Sequence, residues 1–199
     1  MRSCSLKFIA PSWDEVFAKS IKLAENIRKT ERAQFDCITG ISRGGLALSR
    51  IMSDLLDIQT VMITGCEYYT DIGEKKKEPI ITQKIRGKIA GKKVLVIDDV
   101  ADTGESLRVI KSYIESKRPE LVKIATIFIK PWCKMMPDYF VSKTDSWIIF
   151  PWEYYETIKS LSATNSKDIR SKTHIPQKYI EMLYRMDGSL RQRWKRTAN

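Results

Sequence analysis

Histidine is almost absent from this chain: His174 is the only one in 199 residues. A single imidazole excludes a multi-histidine metal centre and any proton relay between histidines. The four cysteines, Cys4, Cys37, Cys66 and Cys133, lack the paired spacing of a zinc or redox motif, and three of them lie in or beside apolar runs of strand character. Buried, reduced thiols are the expected outcome. No apolar stretch approaches membrane-spanning length, and the N-terminus lacks the apolar core of a signal peptide. A cytoplasmic location and no membrane partner are therefore expected. Negative charge is also in short supply, with 24 acidic residues against 35 basic ones and a formal net charge of +11. That surplus favours anionic partners, whether phosphate-rich small molecules or nucleic acid. No helix-turn-helix pattern precedes the core, which weighs against nucleic acid.

The residues that are present suit a core-forming domain, since 43% are hydrophobic. Ser12 followed by Glu15 forms a capping box, and Trp13, Val16, Phe17, Ala24 and Ile27 recur at helical spacing, so a first helix is expected to about Thr30. Residues 35–41 read as a short strand, Gly44 and Gly45 as a turn, and Leu46, Ile51, Leu55 and Leu56 as the apolar face of a second helix. Residues 60–63 supply another strand. The lysine-rich run 70–78 carries no periodicity and is expected to be mobile before Ile80 and Ile81 resume a strand pattern. A helix to about Lys117 and a strand over 122–129 complete the alternation. The expected fold class is α/β, an open and mostly parallel twisted sheet with helices on both faces.

One segment concentrates chemistry. Val94, Leu95, Val96 and Ile97 form a strand buried on both faces, which runs into Asp98, Asp99, Asp102, Thr103, Gly104, Glu105 and Ser106 before a helical pattern begins. Backbone N–H groups at 103–106 and the positive end of the helix dipole suit a phosphate, while Asp98 and Asp99 can accept hydrogen bonds from sugar hydroxyls or bind a divalent cation. An N-terminal cap would account for Asp102 but not for Asp98 and Asp99.

The string, an apolar run, two acids, two small or apolar residues and then Asp-Thr-Gly-x-Ser, resembles the phosphoribosyl-pyrophosphate (PRPP) signature of the type I phosphoribosyltransferases. Ala101 is smaller than the aliphatic usual there. The resemblance spans about residues 12–155 and is carried by two further segments. Gly40-Ile41-Ser42-Arg43-Gly44-Gly45 resembles the pyrophosphate loop of the 6-oxopurine members, in which an unusual peptide bond precedes the first glycine of the pair; this implies that Ser42, Arg43 and Gly44 hold the leaving group. Lys130, after the last core strand, and Trp147-Ile148-Ile149-Phe150-Pro151-Trp152-Glu153 resemble the purine-binding elements of the xanthine-guanine type. Taken alone, Lys130 reads equally well as a lysine snorkelling from a strand end.

The resemblance implies the type I phosphoribosyltransferase fold with a small hood. It also implies a reaction: PRPP plus a 6-oxopurine, whether guanine, xanthine or hypoxanthine, gives a nucleoside monophosphate and pyrophosphate in purine salvage. In that reading Asp102 is the catalytic base at the purine N7, and Asp98 and Asp99 bind the ribose and Mg²⁺. Asp102, Thr103, Gly104, Glu105 and Ser106 bind the 5′-phosphate. Lys130 meets the 6-oxo oxygen, Trp147 stacks on the base, Ile148 offers backbone groups and Glu153 is an acid at the purine side. Asp99 and Glu153 are the implied metal ligands, and Tyr68 or Tyr69 carries the aromatic contact of a flexible loop over about 66–77. Trp152 is either core or part of this region. A homodimer or homotetramer is implied. The alternatives are a PRPP-sensing, nucleic-acid-binding regulator on the same fold, argued only by the basic charge and tail, and an adenine or orotate enzyme, against which Lys130 and Asp102 speak.

The C-terminus departs from the resemblance. The expected organisation is a core with hood over 1–160, hood elements at about 1–12 and 131–160, and a basic helical extension over 161–199. Residues 162–172 read as a polar linker. Ile175, Tyr179, Met182, Leu183 and Met186 form an apolar stripe that Gly188 is expected to end. Such a helix requires a docking surface, and the terminal Arg191, Arg193, Trp194, Lys195 and Arg196 are basic enough for an anion or a solvated tail. His174 is expected at the surface.

Overall fold

The computed structural model describes residues 7–31, 34–68, 79–161 and 166–190, without the side chains of Tyr68 and residues 166–168. The chain divides into two compact units, residues 17–144 and residues 1–16 together with 145–199. In order, the elements are β1 (Phe8–Ile9), α1 (Trp13–Thr30), β2 (Cys37–Ser42), α2 (Gly45–Leu56), β3 (Val61–Tyr68), β4 (Pro79–Gln83) and β5 (Lys93–Ala101). They continue with α3 (Glu105–Glu115), β6 (Leu121–Ile129), β7 (Tyr139–Lys143), β8 (Trp147–Ile148), a 3-10 turn at Pro151–Glu153, α4 (Tyr154–Ser160), α5 (Ser166–Thr173) and α6 (Gln177–Met186).

The larger unit is a six-stranded sheet in the order β4-β3-β2-β5-β6-β7, parallel throughout except for the antiparallel β3–β4 pair at one edge. The period-2 geometry of β5 sends Val94 and Val96 to one face and Leu95 and Ile97 to the other, and all four are fully buried. On the first face Leu107, Ile110 and Ile114 of α3 join Ile41, Met62, Val94, Val96, Val122 and Ile124 in one cluster. Helix α2 packs against β2 and β5 with Leu48 and Met52 fully buried. These are the covered faces that the apolar run of β5 requires.

Helix α1 starts with the reciprocal capping box anticipated from Ser12 and Glu15. The Glu15 N–H donates to Ser12 Oγ at 3.2 Å, and the Ser12 N–H donates to Glu15 Oε2 at 2.7 Å. Its buried residues are Val16, Ser20, Leu23, Ala24 and Ile27, whereas Trp13 and Phe17 are half exposed. The stripe is thus rotated from the expected one, because 16, 20, 23 and 27 fall on one face while 13 and 17 lie at its margin.

In the smaller unit β1 and β8 form a parallel pair, with Phe8 opposite Trp147 and Ile9 opposite Ile148. Ile149, Tyr154, Ile158, Ile169, Ile175, Ile180, Tyr184 and Leu190 make its core, with Phe8 and Ala10 packed against it. The stretch expected to be a polar linker contains α5, whose one apolar anchor, Ile169, is buried and whose Thr173 hydroxyl donates to the Ile169 carbonyl at 2.6 Å. Helix α6 buries Ile180 and Tyr184, four residues apart, while Met182 and Met186 of the expected stripe are exposed. It ends at Met186, before Gly188: Asp187 Oδ1 accepts the Ser189 N–H at 2.8 Å and the Ser189 hydroxyl at 2.7 Å, starting a new helical turn. His174 is exposed, as expected. Cys4, Tyr69, the run 70–78 and the tail from Arg191 lie outside the described residues, as does the Tyr68 side chain. Strand β3 continues through Cys66 and Glu67, so the first residues assigned to the flexible loop belong to the sheet.

Candidate active site

In an open α/β sheet a ligand crevice forms at the carboxyl ends of two neighbouring strands whose connections leave in opposite directions. Here those strands are β2 and β5, paired from Cys37 opposite Val94 to Gly40 opposite Ile97, with β3 on the outer side of β2 and β6 on the outer side of β5. The two loops singled out by sequence, 42–45 and 102–105, leave these strands side by side. Strand β5 runs on to Ala101, so Asp98 and Asp99 belong to the strand itself.

Glycine is what lets the first loop close on the end of β5. A Cβ on Gly44 would strike the Asp99 carboxylate, and one on Gly45 would strike the Ile97 carbonyl oxygen and lie 3.1 Å from Asp98 Cα. The first turn of α2 therefore rests on the backbone of β5, and the Asp99 side chain, 6% exposed, lies against the glycine loop. Asp98 Oδ1 accepts the Asp99 N–H at 3.0 Å, which orients one acid by the other. The peptide bond between Ser42 and Arg43 is cis, the unusual bond anticipated in this loop. Arg43 is exposed, and the Ser42 hydroxyl lies 3.5 Å from Gln83 Oε1.

The second loop is held from the other side. Gly104, the N-cap of α3, has φ of 85°, and a Cβ there would come within 2.7 Å of the Met135 nitrogen and 3.1 Å of Cys133 Sγ. The Lys134 N–H donates to the Thr103 carbonyl at 3.0 Å, the Lys130 N–H to the Ala101 carbonyl at 2.9 Å, and the Glu105 N–H to Thr103 Oγ1 at 3.3 Å. The segment after β6 thus clamps the turn that opens α3. Asp102 is not the cap of that helix. Its exposed carboxylate accepts the Trp132 indole N–H at 2.7 Å, and the Lys130 ammonium lies 5.6 Å from the centre of the same indole ring. Lys130 is buried, which rules out a lysine snorkelling into solvent. Trp132 was not marked by sequence; a large aromatic two residues after the candidate lysine is the signal that points to it.

Two thiols border the turn. Burial pushes the Cys66 thiol up, its hydrogen bond with Ser106 pulls the other way, and Asp98 adds to the rise. Burial likewise raises Cys133, against the lowering effect of its bond to the Met135 carbonyl. In both, burial disfavours the thiolate.

In the smaller unit Trp147 is half exposed on β8, and Ile148 is buried beside it. The Trp147 N–H donates to the Lys7 carbonyl at 2.7 Å and the Ile149 N–H to the Ile9 carbonyl at 2.8 Å. Alternation along a parallel strand therefore turns the Ile148 N–H and C=O to the edge opposite β1. Glu153 closes the 3-10 turn, and Trp152 stacks on Phe150 at 4.7 Å and tilts against Trp13 at 5.6 Å. That ring is a packing residue of this unit.

Comparison with known proteins decides the family. The model of the phosphoribosyl transferase domain matches residues 12–158. The chain belongs to the phosphoribosyltransferase family. This phosphoribosyltransferase is 35% identical over 144 residues to a xanthine-guanine phosphoribosyltransferase of Desulfotalea psychrophila, an alignment covering 71% of this chain and 84% of that one. A crystal structure of a purine phosphoribosyltransferase from Pyrococcus horikoshii is 36% identical, with a TM-score of 0.64 over 72% of this chain and 92% of that one. The fold is shared with a xanthine-guanine-hypoxanthine phosphoribosyltransferase of Helicobacter pylori at 22% identity and a TM-score of 0.64, covering 78% and 98% of the two chains. No helix among the described residues is long and apolar enough to cross a membrane.

The Asp98 and Asp99 carboxylates fit a hard divalent cation. Among the described residues no three His, Cys, Asp or Glu side chains gather into a metal site. Mg²⁺ suits such a sparse set, because it commonly takes one or two carboxylates and fills its remaining positions with water and substrate phosphate.

Proposed function

We propose that this phosphoribosyltransferase transfers the phosphoribosyl group of PRPP to a 6-oxopurine, releasing pyrophosphate and forming a purine nucleoside monophosphate for salvage. The observation that carries this reading is the approach of the glycine loop to the acidic strand, Gly44 against Asp99, at the one place in the sheet where β2 and β5 diverge. An anion cradle and a pair of sugar-directed acids side by side suit a ribose with phosphate groups at both ends.

In this reading the backbone at Thr103, Gly104, Glu105 and Ser106 holds the 5′-phosphate at the start of α3. Ser42, Arg43 and Gly44 take the diphosphate, and Asp98 and Asp99 accept hydrogen bonds from the ribose hydroxyls. Mg²⁺ would be held by Asp98 and Asp99 and would supply charge neutralisation to the diphosphate. Breaking the bond to ribose builds positive charge on the sugar and negative charge on the leaving group, so the electropositive loop acts where charge develops. Asp102 accepts the purine N7 proton. Lys130 donates to the 6-oxo oxygen, which an amino group could not reciprocate. Trp147 stacks on the base, and the open backbone edge at Ile148 addresses its remaining polar groups. Assembly as a homodimer or homotetramer and a cytoplasmic location belong to the same proposal, with Tyr68 or Tyr69 as the closing contact over the sugar.

The test is a panel of guanine, xanthine, hypoxanthine, adenine and orotate, each offered with PRPP and Mg²⁺ while pyrophosphate release is followed. Release with at least one 6-oxopurine and not with adenine or orotate is expected. Binding of PRPP without release for any base would point to a sensor.

A further inference from the structure

We propose that Trp132 is a positioning residue that fixes Asp102 and Lys130 at the spacing of one purine edge; the inference rests on the function proposed above. The indole is 51% exposed, so burial is only part of what holds it and a second basis is at work. Its two polar relationships supply it. The Nε1–H donates to Asp102 Oδ1 at 2.7 Å, and the ring face lies 5.6 Å from the Lys130 ammonium. A single rigid ring thus touches both side chains, each on a different property, the edge N–H for the carboxylate and the π face for the cation.

The chemistry of the base explains why such a bridge is useful. On a 6-oxopurine the N7 nitrogen and the 6-oxo oxygen are neighbours on one edge, so the group that takes the N7 proton and the group that donates to the oxygen must stand a fixed distance apart. Asp102 and Lys130 follow different strands; Lys130 is buried, whereas Asp102 is exposed with rotamer freedom of its own. The indole ties that carboxylate to the ring that lies beside the Lys130 ammonium. It also divides the carboxylate: Oδ1 is engaged by a group that can only donate, which leaves Oδ2 to receive a proton. Trp132 is itself held in place. The Cys133 N–H donates to the Lys130 carbonyl at 3.1 Å, the Lys134 N–H to the Thr103 carbonyl at 3.0 Å, and Met135 lies against Gly104. The ring is therefore carried on a loop fastened to the same turn that bears Asp102.

A double-mutant cycle tests this, with thermal unfolding as the control for folding. Trp132→Phe keeps a ring over Lys130 and removes the donor. It should lower kcat by about ten- to a hundredfold, the range for losing a hydrogen bond to a charged group, with KM for PRPP and the unfolding midpoint unchanged. In an Asp102→Ala background the same substitution should change kcat by less than about twofold, because the partner through which it acts is gone. Trp132→Leu, which also removes the π face, should in addition narrow the preference for 6-oxo over 6-amino purines. Equal losses from Trp132→Phe in both backgrounds, or an unchanged kcat for Trp132→Phe in the otherwise wild-type protein, would overturn the positioning role. Failure of the unsubstituted protein to release pyrophosphate with any 6-oxopurine would overturn the proposed function, and this inference with it.

Discussion

Gly44 and Asp99 are packed so closely that a single methyl group on the glycine would occupy the space of the carboxylate. Gly44 has φ of −56° and ψ of −47°, an ordinary helical conformation, so alanine there is opposed by sterics alone. Gly44→Ala should displace the acid by a fraction of an ångström to about an ångström without unfolding the sheet. A misplacement of that size at a positioning group costs on the order of a hundredfold in kcat/KM. Steady-state kinetics against varied PRPP should show that loss; wild-type values would mean that Asp99 has no part in holding the sugar.

Gly45→Ala makes a useful contrast. The obstacle there is backbone, the Ile97 carbonyl, which cannot swing aside as a carboxylate can. Helix α2 must then lift from β5, with an overpacking cost of about 1–3 kcal/mol. A drop in the denaturation midpoint accompanied by loss of activity is expected, in place of the activity loss alone expected for Gly44→Ala.

The legible parts of this chain were those in which local chemistry and tertiary packing agree. The Ser12–Glu15 box, the buried run of β5 and the glycine turn before α2 each stand where the residues put them, because cap, period and turn chemistry are decided within a few positions. The misread elements are those settled by distant partners. Trp13 and Phe17 look like core by spacing, yet α1 turns Ser20 and Leu23 inward instead. In α6 the six residues Tyr179, Ile180, Met182, Leu183, Tyr184 and Met186 admit more than one buried face, and the choice of Ile180 and Tyr184 over Met182 and Met186 depends on α4 and α5. Trp132 carried no periodic signal at all, since its neighbours are bonded through backbone and its partner is thirty positions away in sequence.

Asp102→Asn retains size and an acceptor oxygen but cannot take a proton. Turnover should fall by about 10²- to 10⁴-fold, the usual contribution of general acid–base catalysis, while PRPP affinity changes little. Pre-steady-state pyrophosphate release paired with calorimetric PRPP titration separates the two quantities. Retained turnover would move the proton acceptor elsewhere.

Ile180 is fully buried among Ile149, Ile158 and Tyr184. Truncation to alanine should cost about 2–5 kcal/mol in the smaller unit through lost burial and an unfilled cavity. Hydrogen exchange resolved by segment should show faster opening of α4 and α6, with β2, β5 and β6 of the larger unit protected as before; uniform acceleration across both units would mean that they unfold as one.

Acid should act on the same unit through Asp187. Its carboxyl is held down to about 2 by the Ser189 hydroxyl first, then by the Tyr155 hydroxyl and the Ser189 N–H, and Tyr155 is correspondingly raised by its bond to Asp187. A carboxyl whose pKa is lower in the folded chain than in the unfolded one stabilises the folded state above the unfolded value, near 4. That contribution disappears as pH falls from there toward 2. The wild-type smaller unit should therefore lose protection of α6 amides across this window, and Asp187→Asn, which cannot ionise, should start less protected at neutral pH and show a shallower decline. Identical acid profiles for the two proteins would show that the Tyr155–Asp187–Ser189 bonds contribute nothing to holding the last helix in place.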